Sequence, residues 1–410
     1  LVVSTKSLQC IFRGANGHFT VKLVIKINHN MNQNFCYHPW AGLDINNNGE
    51  IKPCCKFQPE LENWEKFYIQ NGIDTYNNSN EVLNLKKQFL EGKKPQGCLR
   101  CWKDEEAGYL SKRQMDYDNF SSELDSRDLS AQDNFLFVAI PVGNFCNLKC
   151  RICGPSSSTT WIKEWNDLFN EKRPIQDWHK NPNIWKEILK YSENSLEIHI
   201  HGGEPFLYDT PEHHELLDHL IDSLSSEKIK IHYTTNGTIF PHDAYWEKWK
   251  KFKWIDIQCS IDDMEHRFDY NRHPATWSTV KENLFKYRDR IQAGDNLQLS
   301  ISTTVSAFTI FYLEEFFDFM YENNIPKPWL GKLQHPYYYR ASVLPSSFKQ
   351  EIREKLKNSK YEDLRKITSW LDDDESHQWK TFLKYTEIHD RYRQESFQKT
   401  FPEIANFINE

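Results

Sequence analysis

The chain contains no run of about 18 uninterrupted apolar residues, so no segment reads as a membrane-spanning helix and no membrane is expected as a partner. It has no cationic excess either. Its 51 Lys and Arg stand against 58 Asp and Glu, a formal net charge of −7, which gives no overall field for neutralising phosphates and argues against nucleic acid as the main partner. Repeats and low-complexity tracts are lacking. Residues 1–30 lack the charged start, apolar block and small-residue cleavage site of a secretory signal. Methionine is scarce, and the first is Met31, followed by Asn32-Gln33-Asn34-Phe35; the expectation is a start at Met31, with residues 1–30 an upstream extension. On that view Val21-Lys22-Leu23-Val24-Ile25 is either a strand or upstream sequence without a role.

What the chain does have is cysteine. Ten are present, and several fall in a C-x3-C-x2-C and a C-x2-C cluster rather than at scattered positions. In a chain of 410 residues that can bury a large core, such spacing points to metal thiolates in a reducing compartment, and the location expected is cytoplasmic.

Composition divides the chain. Residues 31–102 carry five cysteines and the turn sequence Asn46-Asn47-Asn48-Gly49, a hairpin with Gly49 supplying positive φ, and read as a small metal-stapled module. Residues 103–134 are polar and acidic, a helix and connector. From residue 135 to 340 short β-rich runs alternate with helical ones. Strands are expected at Phe137–Ile140, Leu196–Ile200, Ile229–Tyr233, Trp254–Ile261, Leu297–Val305 and near Trp329–Leu333. Helical period is visible in Val280, Leu284, Tyr287 and Ile291, and in Leu313, Phe316, Phe317 and Met320. The fold class predicted is α/β, an incomplete parallel (β/α)6 barrel with functional residues at the carboxyl ends of its strands. Residues 341–410 read as a charged helical extension anchored by Trp370, Trp379 and Phe382.

Cys146-Asn147-Leu148-Lys149-Cys150-Arg151-Ile152-Cys153 follows the first barrel strand directly. Three thiolates so spaced can bind three corners of a cubane cluster, and no fourth cysteine lies nearby, so one iron keeps an open position that an amino acid's amine and carboxylate could chelate. The competing reading is a structural zinc site, which wants four closed ligands and would have to recruit Cys259 from a distant strand. Downstream, Gly202-Gly203-Glu204-Pro205 ends the second strand, Thr234-Thr235-Asn236-Gly237 the third, and Ser260-Ile261-Asp262 the fourth. Glycines allow close backbone approach, a carboxylate accepts from an ammonium, and short hydroxyl and amide side chains suit ribose hydroxyls. Each stretch, taken alone, also reads as an ordinary turn or helix cap.

Together the cysteine spacing and its place after the first strand resemble the radical S-adenosylmethionine (SAM) superfamily. The resemblance implies a [4Fe–4S] cluster on Cys146, Cys150 and Cys153, reduced by flavodoxin or ferredoxin, which cleaves SAM to a 5′-deoxyadenosyl radical. It implies that Gly202, Gly203 and Glu204 hold the methionyl amine. Thr235, Asn236, Ser260 and Asp262 are expected near the ribose, and Arg272 at the cofactor carboxylate, a task suited to a guanidinium. Two departures stand out. Ile152 occupies a place where relatives often carry an aromatic residue, and Ala307-Phe308 follows the fifth strand where they often show asparagine.

Cys36, then Gly49, Cys54, and after a gap Cys98-Leu99-Arg100-Cys101, resemble the half-length auxiliary domain called twitch, related to SPASM, placed here before the barrel. The resemblance implies a second [4Fe–4S] cluster on Cys36, Cys54, Cys98 and Cys101. Cys55 is an alternative to Cys54, and zinc is the rival metal, since a four-thiolate site with a C-x2-C limb is also how zinc knuckles are built. Other candidates are His199 and His201 alternating on a strand, His213-His214 on a solvated helix, Cys259 at a strand end, and Tyr337-Tyr338-Tyr339-Arg340 at the substrate mouth. The activity expected is hydrogen-atom abstraction from a peptide or protein. The alternatives are a sugar, nucleotide or small metabolite, or a noncatalytic iron–sulfur or zinc protein.

Overall fold

The computed structural model describes residues 34–126, 135–141, 143–207 and 210–410. The expectations for residues 1–30, the Met31 start and the strand at Val21–Ile25 lie outside the described residues. The chain divides into two compact units. One ends at Ala139 and takes in Asn181–Ile198, and the other comprises Ile140–Lys180 and His199–Glu410.

In the first unit the expected hairpin is present. Strands β1 (Gly42–Ile45) and β2 (Glu50–Lys52) pair antiparallel, with Ile45 opposite Ile51. Asn46 closes the turn by accepting the N–H groups of Asn48 and Glu50 on its side-chain oxygen, and Gly49 takes φ 84°, a conformation that suits glycine. A short β3 (Phe67–Tyr68) extends the hairpin antiparallel to β2, while the first residues of β4 (Phe137–Pro141) run parallel to β1. Helix Asn80–Leu90 is capped by Ser79, whose hydroxyl accepts from Val82 N–H, and it buries Val82, Leu85 and Phe89 at helical spacing. Phe35, Trp40, Phe57 and Trp102 complete the core around it.

In the second unit the ends of β4 and β5 (Glu197–His201) are followed by β6 (Lys230–Thr235), β7 (Trp254–Ser260), β8 (Leu297–Val305) and β9 (Trp329–Lys332). β6 to β9 pair in sequence order and all in parallel. Helices Pro211–Asp222, Asp243–Trp249, Trp277–Gln292 and Leu313–Glu322 occupy the intervals. This is the predicted α/β incomplete barrel, with each strand within a residue or two of its predicted place.

The strands are not uniformly apolar, as strands buried on both faces would be. Ile231, Tyr233, Ile255, Ile257, Leu299 and Ile301 are buried, and the residues between them are polar. One face of the sheet therefore packs under helices and the other presents hydrogen-bonding groups.

The carboxyl-terminal region is helical, with Ser346–Lys357 and Trp379–Arg393 its longest elements. Phe308 sits in an aromatic cage with Tyr339, Phe382 and Phe401, at centroid distances of 4.8, 5.0 and 5.5 Å. Trp379 and Phe382 are buried as expected, whereas Trp370 is half-buried, because its turn runs along the surface. Among the described residues no helix is long and apolar enough to cross a membrane. Replacing Phe382 by Ala should cost about 3–5 kcal/mol, read as a lower urea midpoint with unchanged slope.

Candidate active site and cysteine pocket

The loop that follows β4 has no regular structure of its own and is held from several directions. Gly143 has φ +79°, and a Cβ there would lie 2.8 Å from the Gln176 carbonyl. Asn144 is buried, donates to Pro155 O (3.0 Å) and accepts from Gln176 N (3.0 Å). Lys149 N donates to His273 O (2.7 Å) and Arg151 N to Asn271 O (2.8 Å), so alternate residues of the loop are pinned to the 271–273 segment. Ser158 donates to Leu148 O, Thr160 to Cys146 O and Trp161 Nε1 to Cys150 O.

Charged side chains between the cysteines fix it further. Arg151 is 2% exposed; its guanidinium lies 2.5 Å from Asp390 and 2.5 Å from Glu395 and stacks over Tyr270 at 3.7 Å. Lys149 pairs with Glu164 (2.8 Å), which also meets His389 (2.8 Å) and Arg393 (2.9 Å). Burial opposes the Glu164 charge, but the His389 hydrogen bond with the Arg393 and Lys149 charges outweighs it and draws the carboxyl down to about 2.

The thiols of Cys146 and Cys150 are buried around Leu148, with Ala275 against them, while Cys153 is exposed. Burial pushes Cys146 up to about 12, although its sulfur accepts from Leu148 N (3.4 Å) and Asn236 Nδ2 (3.8 Å). The Cys153 thiol hydrogen-bonds to Cys150, which lowers Cys150 with help from Arg272 and raises Cys153.

The motif residues converge beside this loop. Gly202 takes φ 106°, and a Cβ at Gly203 would fall 1.9 Å from Phe145 O, so the glycine is needed where the two loops touch backbone to backbone. Gly203 N and Glu204 N donate to Gly143 O (3.1 Å) and Phe145 O (2.7 Å). Glu204 is 2% exposed and accepts from Thr235 Oγ1 (2.7 Å), Asn236 N (2.7 Å) and Phe206 N (3.2 Å); burial still raises its carboxyl to about 7. Asn236 bridges to Asn147 (2.9 Å). Arg272 is paired with Asp262 (2.7 and 3.0 Å), and Asp262 also accepts from Thr304 N (2.8 Å). Ser260 is half-buried at the end of β7, opposite Ser302.

On the polar sheet face His199, His201 and the strand-end hydroxyls Thr234 and Ser260 were singled out in the sequence, but His232, Asp256 and Ser300 were not. His199 shares a hydrogen bond with Thr234 (2.8 Å) and meets the His232 ring edge-on at 4.4 Å. His232 pairs with Asp256 (2.8 Å), which accepts from Ser300 (3.1 Å). The signal was available: Lys230-x-His232-x-Thr234, Asp256-x-Gln258-x-Ser260 and Gln298-x-Ser300-x-Ser302 alternate with period two.

Two expectations change. His213 is 1% exposed rather than solvated, because it shares the apolar helix face with Leu216, Leu217 and Leu220 and hydrogen-bonds with Tyr233 (2.9 Å) and Tyr245 (3.1 Å). In the Tyr337–Arg340 turn, Tyr339 is buried and Tyr338 stacks on Tyr385 at 4.2 Å, which leaves Tyr337 exposed. Cys259 is fully buried beneath Gly237.

In the first unit Cys36, Cys54, Cys98 and Cys101 line one pocket, with His38, Lys56, Lys112 and Arg113. Cys55, the spare, is exposed and does not line it. Burial pushes Cys36 up to about 12 and raises Cys54, Cys98 and Cys101, while the His38 and Arg113 backbones hydrogen-bond to Cys36 and Cys101. Among the described residues no three Cys, His, Asp or Glu side chains are arranged to hold a single metal ion.

Residues 140–309, which run from the end of β4 through the cysteine loop and the Gly-Gly-Glu-Pro turn to just past β8, match the family model described as Radical SAM superfamily. Over those residues the chain is similar to radical SAM proteins. Solved structures similar to it include native anSMEcpe with bound AdoMet, at 18% identity and TM-score 0.41 over 57% of this chain and 62% of that one. Another is Streptococcus suis SuiB bound to S-adenosylmethionine, at 16% identity and TM-score 0.35 over 80% and 67%. A third is TYW1 with a lysine-pyruvate adduct, at 14% identity and TM-score 0.32 over 55% and 72%. The chain thus spans about three fifths of the length of the anSMEcpe structure. No curated protein matches it.

A radical SAM domain implies a [4Fe–4S] cluster and SAM, and the donor set fits. Soft thiols stand on one short loop with N–H groups directed at sulfur, and a guanidinium lies within electrostatic reach of Cys150 and Cys153. Replacing Arg151 by Met would leave Asp390 without its cation and Glu395 with His273 alone. The expected loss is about 3–5 kcal/mol in chemical denaturation, as for a broken buried ion pair.

Proposed function

We propose that the chain is a radical SAM enzyme in which Cys146, Cys150 and Cys153 hold the redox-active cluster. The observation that carries this reading is the placement of three thiols on one pinned loop beside the Glu204, Asn236 and Arg272 rim. These three residues would hold a [4Fe–4S] cluster that, when bound and reduced by flavodoxin or ferredoxin, would supply one electron for cleavage of SAM to methionine and a 5′-deoxyadenosyl radical able to take a hydrogen atom from a substrate C–H bond.

The chain's own residues supply orientation. Glu204, when ionised, accepts the methionyl ammonium on the oxygen lone pairs not engaged by Thr235, Asn236 and Phe206. Asn236 keeps the Asn147 turn of the cysteine loop in register. Arg272, fixed by Asp262, offers its remaining N–H groups to a carboxylate. Thr235 and Ser260, hydroxyls at the ends of β6 and β7, are assigned to the ribose.

Substrate enters our reading through the polar sheet face. Imidazole, hydroxyl and carboxylate groups at His199, His201, His232, Ser300 and Asp256 suit a substrate with many hydrogen-bonding groups. A peptide or protein is the first class proposed, a sugar, nucleotide or small metabolite the second. In the first unit Cys36, Cys54, Cys98 and Cys101 are assigned to a second [4Fe–4S] cluster, closed by four thiolates.

Anaerobically reconstituted protein with dithionite and SAM should form 5′-deoxyadenosine, detected by chromatography, and Cys150→Ala should abolish it. A fully loaded wild type that forms none would instead support a noncatalytic iron–sulfur protein. SAM binding should also depend on pH. Glu204 is neutral below about 7 and ionised above it, so affinity should fall as pH drops through that value and level off above it. Glu204→Gln should weaken binding about tenfold at pH 8 and flatten the profile, as measured by equilibrium dialysis.

A further inference from the structure

Three cations line the four-thiol pocket, and they are not equivalent. Lys112 lies 2.8 Å from Asp116, which also holds His38 at 2.7 Å, and Arg113 lies 2.5 Å from Glu105. Their charges are compensated locally. Lys56 is half-buried and makes no ion pair among the described residues. Its field reaches the Cys101 thiol and, on the outer side, Asp104. The acids that act on the thiols are Asp104 and Glu105 on Cys101, Asp116 on Cys36 and Glu62 on Cys98, the last occupied by the Gly97 N–H at 2.9 Å.

We infer that Lys56 sets the reduction potential of the cluster held by Cys36, Cys54, Cys98 and Cys101. This rests on the assignment of that pocket to an iron–sulfur cluster. One electron added to a four-thiolate cluster adds one negative charge without changing its ligands. A nearby cation that no carboxylate holds in a salt bridge favours the reduced state and raises the potential. Lys56 acts through the field it places on the thiolates and is a positioning residue. Being half-buried, it works against solvent screening, so its effect is largest at low ionic strength. Arg113 also acts by its charge on Cys36 and Cys98, but Glu105 in contact offsets it as Asp116 offsets Lys112, and the N–H groups of His38 and Arg113 serve the sulfurs directly.

The test is an EPR-monitored titration with dithionite of the full-length reconstituted protein, in a Cys150→Ala background so that the four-thiol cluster dominates. The unsubstituted chain serves as a second measurement, since SAM perturbs only the signal of the barrel cluster. Lys56→Met should keep full iron content and show a lower midpoint potential, with the shift shrinking as salt is raised. Lys56→Arg should stay near the wild type. Lys87→Met, which removes an exposed charge on helix Asn80–Leu90, should leave the potential unchanged. Full iron with an unmoved midpoint in Lys56→Met, or an equal shift in Lys87→Met, overturns the role of Lys56. Zinc in place of iron in the wild-type pocket overturns the assignment beneath it, and metal analysis separates the two failures.

Discussion

The burial of Arg151 between Asp390, Glu395 and the Tyr270 ring is the contact on which the barrel site depends. Three thiols can address one cluster only if the short chain between them has a single conformation, and this loop has no helix or strand to impose one. Its geometry is fixed from outside. The backbone at Lys149 and Arg151 bonds to the 271–273 segment, while the side chains of the same two residues reach into buried charge networks. Counted together, Lys149, Arg151 and Arg393 stand against Glu164, Asp390 and Glu395, three charges of each sign. Desolvating them is therefore tolerable as a set and costly once a member is removed. On this view the carboxyl-terminal helix Trp379–Arg393 is no appendage, since it supplies Asp390 and Arg393 to that set and leads directly into Glu395.

The rim obeys the same logic. Gly203 has no Cβ because the Phe145 carbonyl occupies that volume, and the contact ties the Gly-Gly-Glu-Pro turn to the cysteine loop. Glu204 then receives three hydrogen bonds, two of them from Thr235 and Asn236, so the second and third strand ends are joined through one carboxylate. Asn236 returns the connection to Cys146 and Asn147. Asp262 and Arg272 make a parallel link from the fourth strand end, within electrostatic reach of Cys150 and Cys153. Residues far apart in sequence are thus one hydrogen-bonded body around the thiols.

Much of this was legible because its causes are local. Period-two and helical apolar spacing identified the strands and helices of the barrel, and Leu297–Val305 was read to the residue. The cysteine loop was legible because three thiols in eight residues have few other uses. What escaped the reading depends on partners distant in sequence. Arg272 could be given a task by type, but its pairing with Asp262 is a tertiary fact. His213 read as solvated because its partners, Tyr233 and Tyr245, come from a later strand and helix. Cys54 and Cys55 are adjacent, and only the turn they occupy decides that one faces the pocket and the other water. The polar sheet face was written in the alternation of β6, β7 and β8, yet it shows only when neighbouring strands are laid side by side, His232 against Asp256 and Gln258 against Ser300.

The two cysteine sites differ in a way that bears on what each can do. In the barrel loop one of the three thiols, Cys153, is exposed, and Arg272, whose charge acts on it, is held by a single carboxylate. An arrangement with three donors and one open side admits a further ligand. In the first unit four thiols line an enclosed pocket whose burial raises all of them, so the neutral thiols are favoured until a metal displaces their protons. Four donors leave no coordination position for substrate or cofactor. On the proposed assignment, chemistry at a site closed by four thiolates is limited to holding the fold or passing electrons, because no donor position is left for a reacting molecule.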